Sequence, residues 1–122
     1  MGHALSERLV AGIAAQDQAA ITSCFTDEAQ LRALLPHGVR ERSGAEEVGS
    51  LIATWFGDST MLDLDEARAT EVGDRLHIGY RFTGVEEGER YVVEQHLVCT
   101  VRDDKIEHAH LLCSGFRPRQ PQ

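Results

Sequence analysis

The sequence predicts an α+β domain: a long antiparallel sheet with helices packed on one face. The first sign is Arg75–Gly84, where Leu76, Ile78, Tyr80 and Phe82 alternate with His77, Gly79, Arg81 and Thr83. That period marks a strand with one buried face. The second is that two more such runs, Arg90–Arg102 and Lys105–Phe116, follow after short turn signals. The third is that the chain ahead of them carries apolar stripes at helical spacing.

Taken in order, Ala4–Gln16 predicts a helix, with Leu5, Leu9, Val10 and Ile13 on one stripe. Asp17 suits the N-cap of a short second helix that buries Ile21, Cys24 and Phe25, ending at Thr26-Asp27-Glu28. Ala29–Leu35 reads as a first strand with Ala29, Leu31, Ala33 and Leu35 on one side. Pro36-His37-Gly38 is a turn signal and Val39–Arg42 a short returning strand. Ser43-Gly44-Ala45-Glu46 has the form of a capping box, with Ser43 at N-cap and Glu46 at N3. It opens a helix whose stripe is Val48, Leu51, Ile52, Trp55 and Phe56, with Gly57 at a left-handed C-terminal position. Met61–Val72 reads as a long bent strand leading through Gly73-Asp74 into the sheet.

The turns set a register. A turn over Val85–Glu89, with Gly88 at positive φ, pairs Tyr80 with Gln95, Ile78 with Leu97, Leu76 with Cys99, and Arg81 with Glu94 on the other face. A two-residue turn at Asp103-Asp104 then pairs Cys99 with His108, Leu97 with His110, Gln95 with Leu112 and Val93 with Ser114. On that count Ile106, His108, His110, Leu112, Ser114 and Phe116 look inward, and Glu107, Ala109, Leu111, Cys113 and Gly115 look outward. The inner wall is then apolar, with Tyr80, Gln95, His108, His110 and Ser114 as its polar groups, which is how small-molecule sites are lined. The outer face, with Val92, Val98, Leu111 and Cys113 beside Glu94 and His96, is too apolar to meet water alone. It is expected to pair with a second copy as a homodimer.

With 122 residues and a net charge of −8, the chain is one domain, expected over residues 1–117, with a polar tail at 118–122 that frays. The acidic balance argues against nucleic acid and anionic membrane surfaces as partners, and no apolar run is long enough to span a bilayer. No signal peptide is expected. Cys24, Cys99 and Cys113 form no spacing motif and fit reduced thiols in a cytoplasm. Met1-Gly2-His3-Ala4-Leu5-Ser6 matches a loose myristoylation pattern, for which an ordinary start is the better reading.

The order helix, short helix, strand pair, capped helix and long strands resembles the nuclear transport factor 2-like superfamily, and more narrowly the SnoaL-like domain proteins of bacteria. The residues that carry the resemblance are Gly44 with the helix after it, Val93-Glu94-Gln95-His96, and Cys113-Ser114-Gly115-Phe116. It implies a cone-shaped, strongly curved sheet (the cystatin-like α+β barrel) packed against about three helices, with a pocket between them. Related cyclases carry an acid/base aspartate on the last strand. That rank is held here by Leu112, while Gln95 matches a pocket glutamine of theirs.

The function expected from these residues is binding of a small hydrophobic, carbonyl-containing molecule, either with lyase, isomerase or cyclase chemistry or as a non-catalytic binding or dimeric accessory module. His108 and His110 are the candidate acid/base pair, because a neutral imidazole takes or gives a proton near pH 7. The alternative is that they only line the pocket. Gln95, Tyr80, Trp55, Ser114, Asp63 and Asp65 are candidate substrate contacts. Counting back through Gly73-Asp74 puts both aspartates inward, and one bulge would reverse that. His108, His110 and Cys99 have the spacing of a zinc site, and Cys99 with His108 that of a nucleophile and base. Both lose to pocket lining, and no metal or cofactor is expected.

Overall fold

The structure, a computed structural model, describes residues 2–119. Met1, the first residue of the myristoylation pattern, and residues 120–122, the end of the expected tail, fall outside the described residues. Helix α1 spans Gly2–Ala14, α2 Gln18–Thr22 and α3 Ala45–Phe56. The strands are β1 Phe25–Leu35, β2 Gly38–Ser43, β3 Ser59–Val72, β4 Arg75–Glu86, β5 Glu89–Arg102, β6 Lys105–Cys113 and the two-residue β7 Arg117–Pro118. They form one curved, unclosed sheet in the order β2-β1-β6-β5-β4-β3, with β7 lying against β5. No helix among the described residues is long and apolar enough to cross a membrane.

The helices fill the curve of the sheet because their apolar stripes have nowhere else to go. Leu9 and Ile13 of α1 and Val48, Ile52 and Phe56 of α3 meet Ile78, Tyr80, Phe82, Val93 and Leu97 in one buried core. Asp17 caps α2 as expected, accepting from the Ala20 N–H at 3.1 Å. At the end of α1, Gln16 takes a positive φ of 55° and donates to the Phe56 and Ser59 carbonyls at 2.7 and 3.0 Å. That amide ties the two long helices to the start of β3.

Two local expectations shift. The N-cap of α3 is Gly44, not Ser43, and it makes no side-chain cap. Gly44 sits at φ 93° and gives its N–H to the Ala29 carbonyl at 2.7 Å, so β1 rather than a serine fixes where α3 begins. Gly57 is in the right-handed region at φ −66°, not the left-handed one. The two hairpin turns match their sequences: Glu87 and Gly88 both have positive φ, as do Asp103 and Asp104, which is the twist-compatible two-residue geometry.

The β4–β5 register is the expected one, Tyr80 opposite Gln95 and Arg81 opposite Glu94. The β5–β6 register departs from expectation after two residue pairs. Ile106 pairs with Val101, but His108 pairs with Thr100, leaving Glu107 as an extra residue in β6. From there every side chain of β6 changes face: Ala109, Leu111 and Cys113 are buried, and His108, His110, Leu112 and Ser114 are exposed. The reason is desolvation. The unbulged register would bury two imidazoles and a hydroxyl while exposing three apolar side chains. The bulged one reverses both, and Glu107 turns to pair with Arg102 at 3.0 Å. Val101, expected inward, keeps its expected partner Ile106 but is exposed near the end of β5.

A second irregularity, between Leu64 and Glu66 of β3, does the same there. Leu64 pairs with Phe82 and so takes the inner face, while Asp63 pairs with Thr83 and takes the outer one. One pairing is parallel, β1 with β6, where an all-antiparallel sheet was expected. The last described residues are held rather than loose: Arg117–Pro118 pairs with Tyr91–Val92, and the Arg119 N–H donates to the Arg90 carbonyl at 3.0 Å.

Candidate functional site

The inner wall keeps two of the expected polar groups. Tyr80 on β4 donates to Oε1 of Gln95 on β5 at 2.6 Å, and the Gln95 amide reaches the Cys113 sulfur at 3.4 Å. Both residues are sealed, Gln95 at 0 % and Tyr80 at 2 % exposure. Burial, then the nearby Cys113 and Cys99 thiols, pushes the Tyr80 hydroxyl well above its ordinary range. The pair therefore stays neutral and satisfied within the core. Trp55 on α3 is half-buried and packs against the same core.

The expected acid/base pair is not on this wall. His108 and His110 stand on the outer face, because the Glu107 bulge turned β6 over. Cys99 is opposite Ala109, not His108, so neither the zinc trio nor the nucleophile–base pair is assembled. Burial alone pushes the Cys99 thiol to about 12. Ser114 also faces out, accepting the Glu94 N–H at 2.9 Å. Asp63 and Asp65 lie on the outer side of β3, where Asp65 accepts from the Thr83 hydroxyl at 2.5 Å and has Arg119 at 3.9 Å. Leu111 and Cys113, expected on the outer dimer face, are in the core, whereas Val92, Glu94, His96 and Val98 are on the outer face as expected.

Two cavities bracket the sheet. One is a slot of about 280 Å³ between α1 and β3. Its walls are Val10, Ala11 and Ala14 of α1 and Leu64, Ala67 and Ala69 of β3, and His3, Ser6, Glu7 and Arg68 stand at its rim. Leu64, Ala67 and Ala69 pair with Phe82, Tyr80 and Ile78, so all three share the inner face of the sheet. Leu64 is nevertheless 43 % exposed, because only small side chains of α1 face it. The sequence carried a faint signal for this slot: Ala11 and Ala14 continue the helical stripe beside Val10.

The other is an open cleft of about 420 Å³ on the outer face, lined by Glu66, Arg68, His77, Arg81, Glu94 and His96 among others. Gly79 forms its floor. A Cβ there would meet the His96 ring at 2.9 Å. Glu94 accepts from His96 Nε2 at 2.7 Å and from Arg81 Nε at 2.8 Å. Those two hydrogen bonds, His96's first, hold its carboxyl below the usual carboxylate range, and in turn raise Arg81.

The fold recurs in solved structures. A hypothetical protein of Catenulispora acidiphila with a ketosteroid isomerase-like fold, solved in complex with trimethylamine, superposes with TM-score 0.73 at 15% identity over 88% of this chain and 82% of its own. A Xanthomonas campestris protein provisionally assigned as a polyketide cyclase gives 0.71 at 18% over 91% and 88%. A Bacillus subtilis protein provisionally assigned as an isomerase gives 0.75 at 14% over 93% and 89%. At these identities the likeness concerns the fold. No curated protein sequence matches this chain. The family model described as the SnoaL-like domain matches residues 6–109. The chain therefore belongs to the SnoaL-like domain family, on the nuclear transport factor 2-like fold that these neighbours share.

Proposed function

We propose that this SnoaL-like domain binds a small hydrophobic molecule in the slot between α1 and β3, without histidine acid–base chemistry inside the cone. The observation that carries this reading is Leu64. It is a large aliphatic side chain on the inner face of β3, left 43 % exposed toward the small side chains of α1. An apolar concavity with a few polar groups at its rim is the usual form of a small-molecule site, and about 280 Å³ is at the small end of such sites. The rim groups His3, Ser6, Glu7 and Arg68 suit one polar end on the ligand, such as a carbonyl. Binding without turnover is favoured over lyase or isomerase chemistry because His108 and His110 stand on the opposite face of the sheet from this slot. Buried, unpaired Cys24, Cys99 and Cys113 support a reducing compartment such as the cytoplasm.

The test is binding of the apolar fluorophore phenylnaphthylamine, followed by its emission, with Ala67→Phe and Ala14→Phe filling the slot from either wall. Saturable binding to the parent chain, weakened about tenfold or more by each filling substitution, supports the reading. Equal binding by all three overturns it.

A further inference from the structure

We propose that the slot between α1 and β3 selects an amphiphilic ammonium ion, its apolar body inside the slot and its charged end against Glu7. This rests on the reading above and narrows it to one chemical class. The helix fixes where the carboxylate stands. His3, Glu7, Val10 and Ala14 recur at helical spacing, so they form one stripe of α1, and that stripe is a wall of the slot. Glu7 comes one turn before Val10, at the point where the apolar lining ends. The facing wall, Leu64, Ala67 and Ala69 of β3, offers only hydrocarbon. A ligand whose body lies along Val10, Ala11 and Ala14 therefore brings its end nearer the helix N-terminus to Glu7.

Among the chargeable groups that line the slot, Glu7 is the anion left without a partner. Arg68 is an outer-face residue of β3: it pairs with Gly79, whereas Ala67 and Ala69 on either side pair with Tyr80 and Ile78 of the inner face. Its guanidinium donates to Glu66 at 3.2 Å, and Glu66 lies in turn 3.8 Å from Arg81. Arg68 is thus engaged in a network on the far side of the strand, and a ligand anion would compete with a glutamate for it. Among the described residues no cation lies within ion-pair range of Glu7.

Hydrogen bonding points to the same class. Ser6, buried at the rim, donates its hydroxyl proton to the His3 carbonyl at 3.0 Å, so its oxygen has only acceptor capacity left for a ligand. The Glu7 carboxylate also only accepts. The α1 side of the rim lacks a donor, and an ammonium group brings nothing but donors. Glu7 is exposed, so the charged end keeps part of its water while the hydrocarbon behind it is buried, the arrangement that long lysine side chains adopt. At longer range the chain's charge of −8 draws a cation in and turns an anion away.

The experiment is isothermal titration calorimetry at pH 8.0 with octylammonium, octanol and octanoate, which share one apolar body and differ at the polar end. The proteins are the parent chain, Glu7→Gln, and the slot-filling Ala14→Phe and Ala67→Phe, with circular dichroism as the check on folding. The expected result is that octylammonium binds the parent about fivefold or more tighter than octanol, and octanoate more weakly than either. In Glu7→Gln the gap between octylammonium and octanol closes. Each filling substitution weakens all three probes, which places them in the slot. Octanol that binds in the slot as tightly as octylammonium leaves the slot standing and overturns its selectivity for a cation. Octanoate binding tightest of the three overturns it in favour of an acid. A preference for octylammonium that survives Glu7→Gln overturns the assignment to that carboxylate. Failure of every probe to bind saturably, or binding untouched by both filling substitutions, overturns the slot and this proposal with it.

Discussion

Tyr80 and Gln95 face each other across β4 and β5, and the tyrosine hydroxyl gives its hydrogen bond to the glutamine carbonyl at 2.6 Å with no water able to reach either. A polar pair in that position is costly to break and cheap to replace as a unit.

Tyr80→Phe leaves the Gln95 carbonyl oxygen buried without a donor, and destabilises the fold by about 1–3 kcal/mol. Gln95→Leu strands the tyrosine hydroxyl at a similar cost. The double variant Tyr80→Phe/Gln95→Leu recovers most of the sum. Urea unfolding of the four proteins measures this coupling, and strictly additive losses contradict it.

Deleting Glu107 removes the bulge in β6. The shortened strand must then either bury His108 and His110 or slip its turn. Burying two imidazoles without partners costs about 1–3 kcal/mol each. Deletion is therefore expected to lower the melting temperature steeply or prevent folding, whereas Glu107→Ala, which keeps the residue count, costs little beyond a surface ion pair. Thermal unfolding followed by circular dichroism separates the two.

Glu94 titrates below the usual carboxylate range because His96 and Arg81 both donate to it. Its folded pKa is depressed, so its contribution to stability is present above the ordinary glutamate value and is lost as pH falls through the lower, folded value. Glu94→Gln is expected to be slightly less stable than the parent at neutral pH, with the gap closing in acid. Denaturant titrations at pH 7 and pH 3 give the two differences. A gap that widens on acidification contradicts the assignment.

Much of the fold was legible in residue order. Alternation in 76–82 and 91–99 gave the correct faces, and the Glu87-Gly88 and Asp103-Asp104 turns gave the correct hairpins, because side-chain period and turn chemistry are local properties. The candidate site was much less legible. Its histidines and aspartates depended on counting through β6 and β3, and irregularities at Glu107 of β6 and between Leu64 and Glu66 of β3, which no turn residue announces, reverse that count. The clue was energetic: the straightforward count left Ala109, Leu111 and Cys113 in water, and reading that surplus as a dimer surface hid the simpler remedy of one added residue. The slot depended on which small side chains α1 presents to β3, a matter of packing between distant segments rather than of any motif.

The extra residue at Glu107 has a bearing on how relatives of this chain are compared. A His-x-His pair in the same strand of another such domain reaches the interior when that strand runs straight and the exterior when it is kinked, although the letters agree. Alignments that close the gap at this position will therefore transfer reactivity between histidines that look out on different solvents, and the length of the strand before the pair is a better guide than the pair itself.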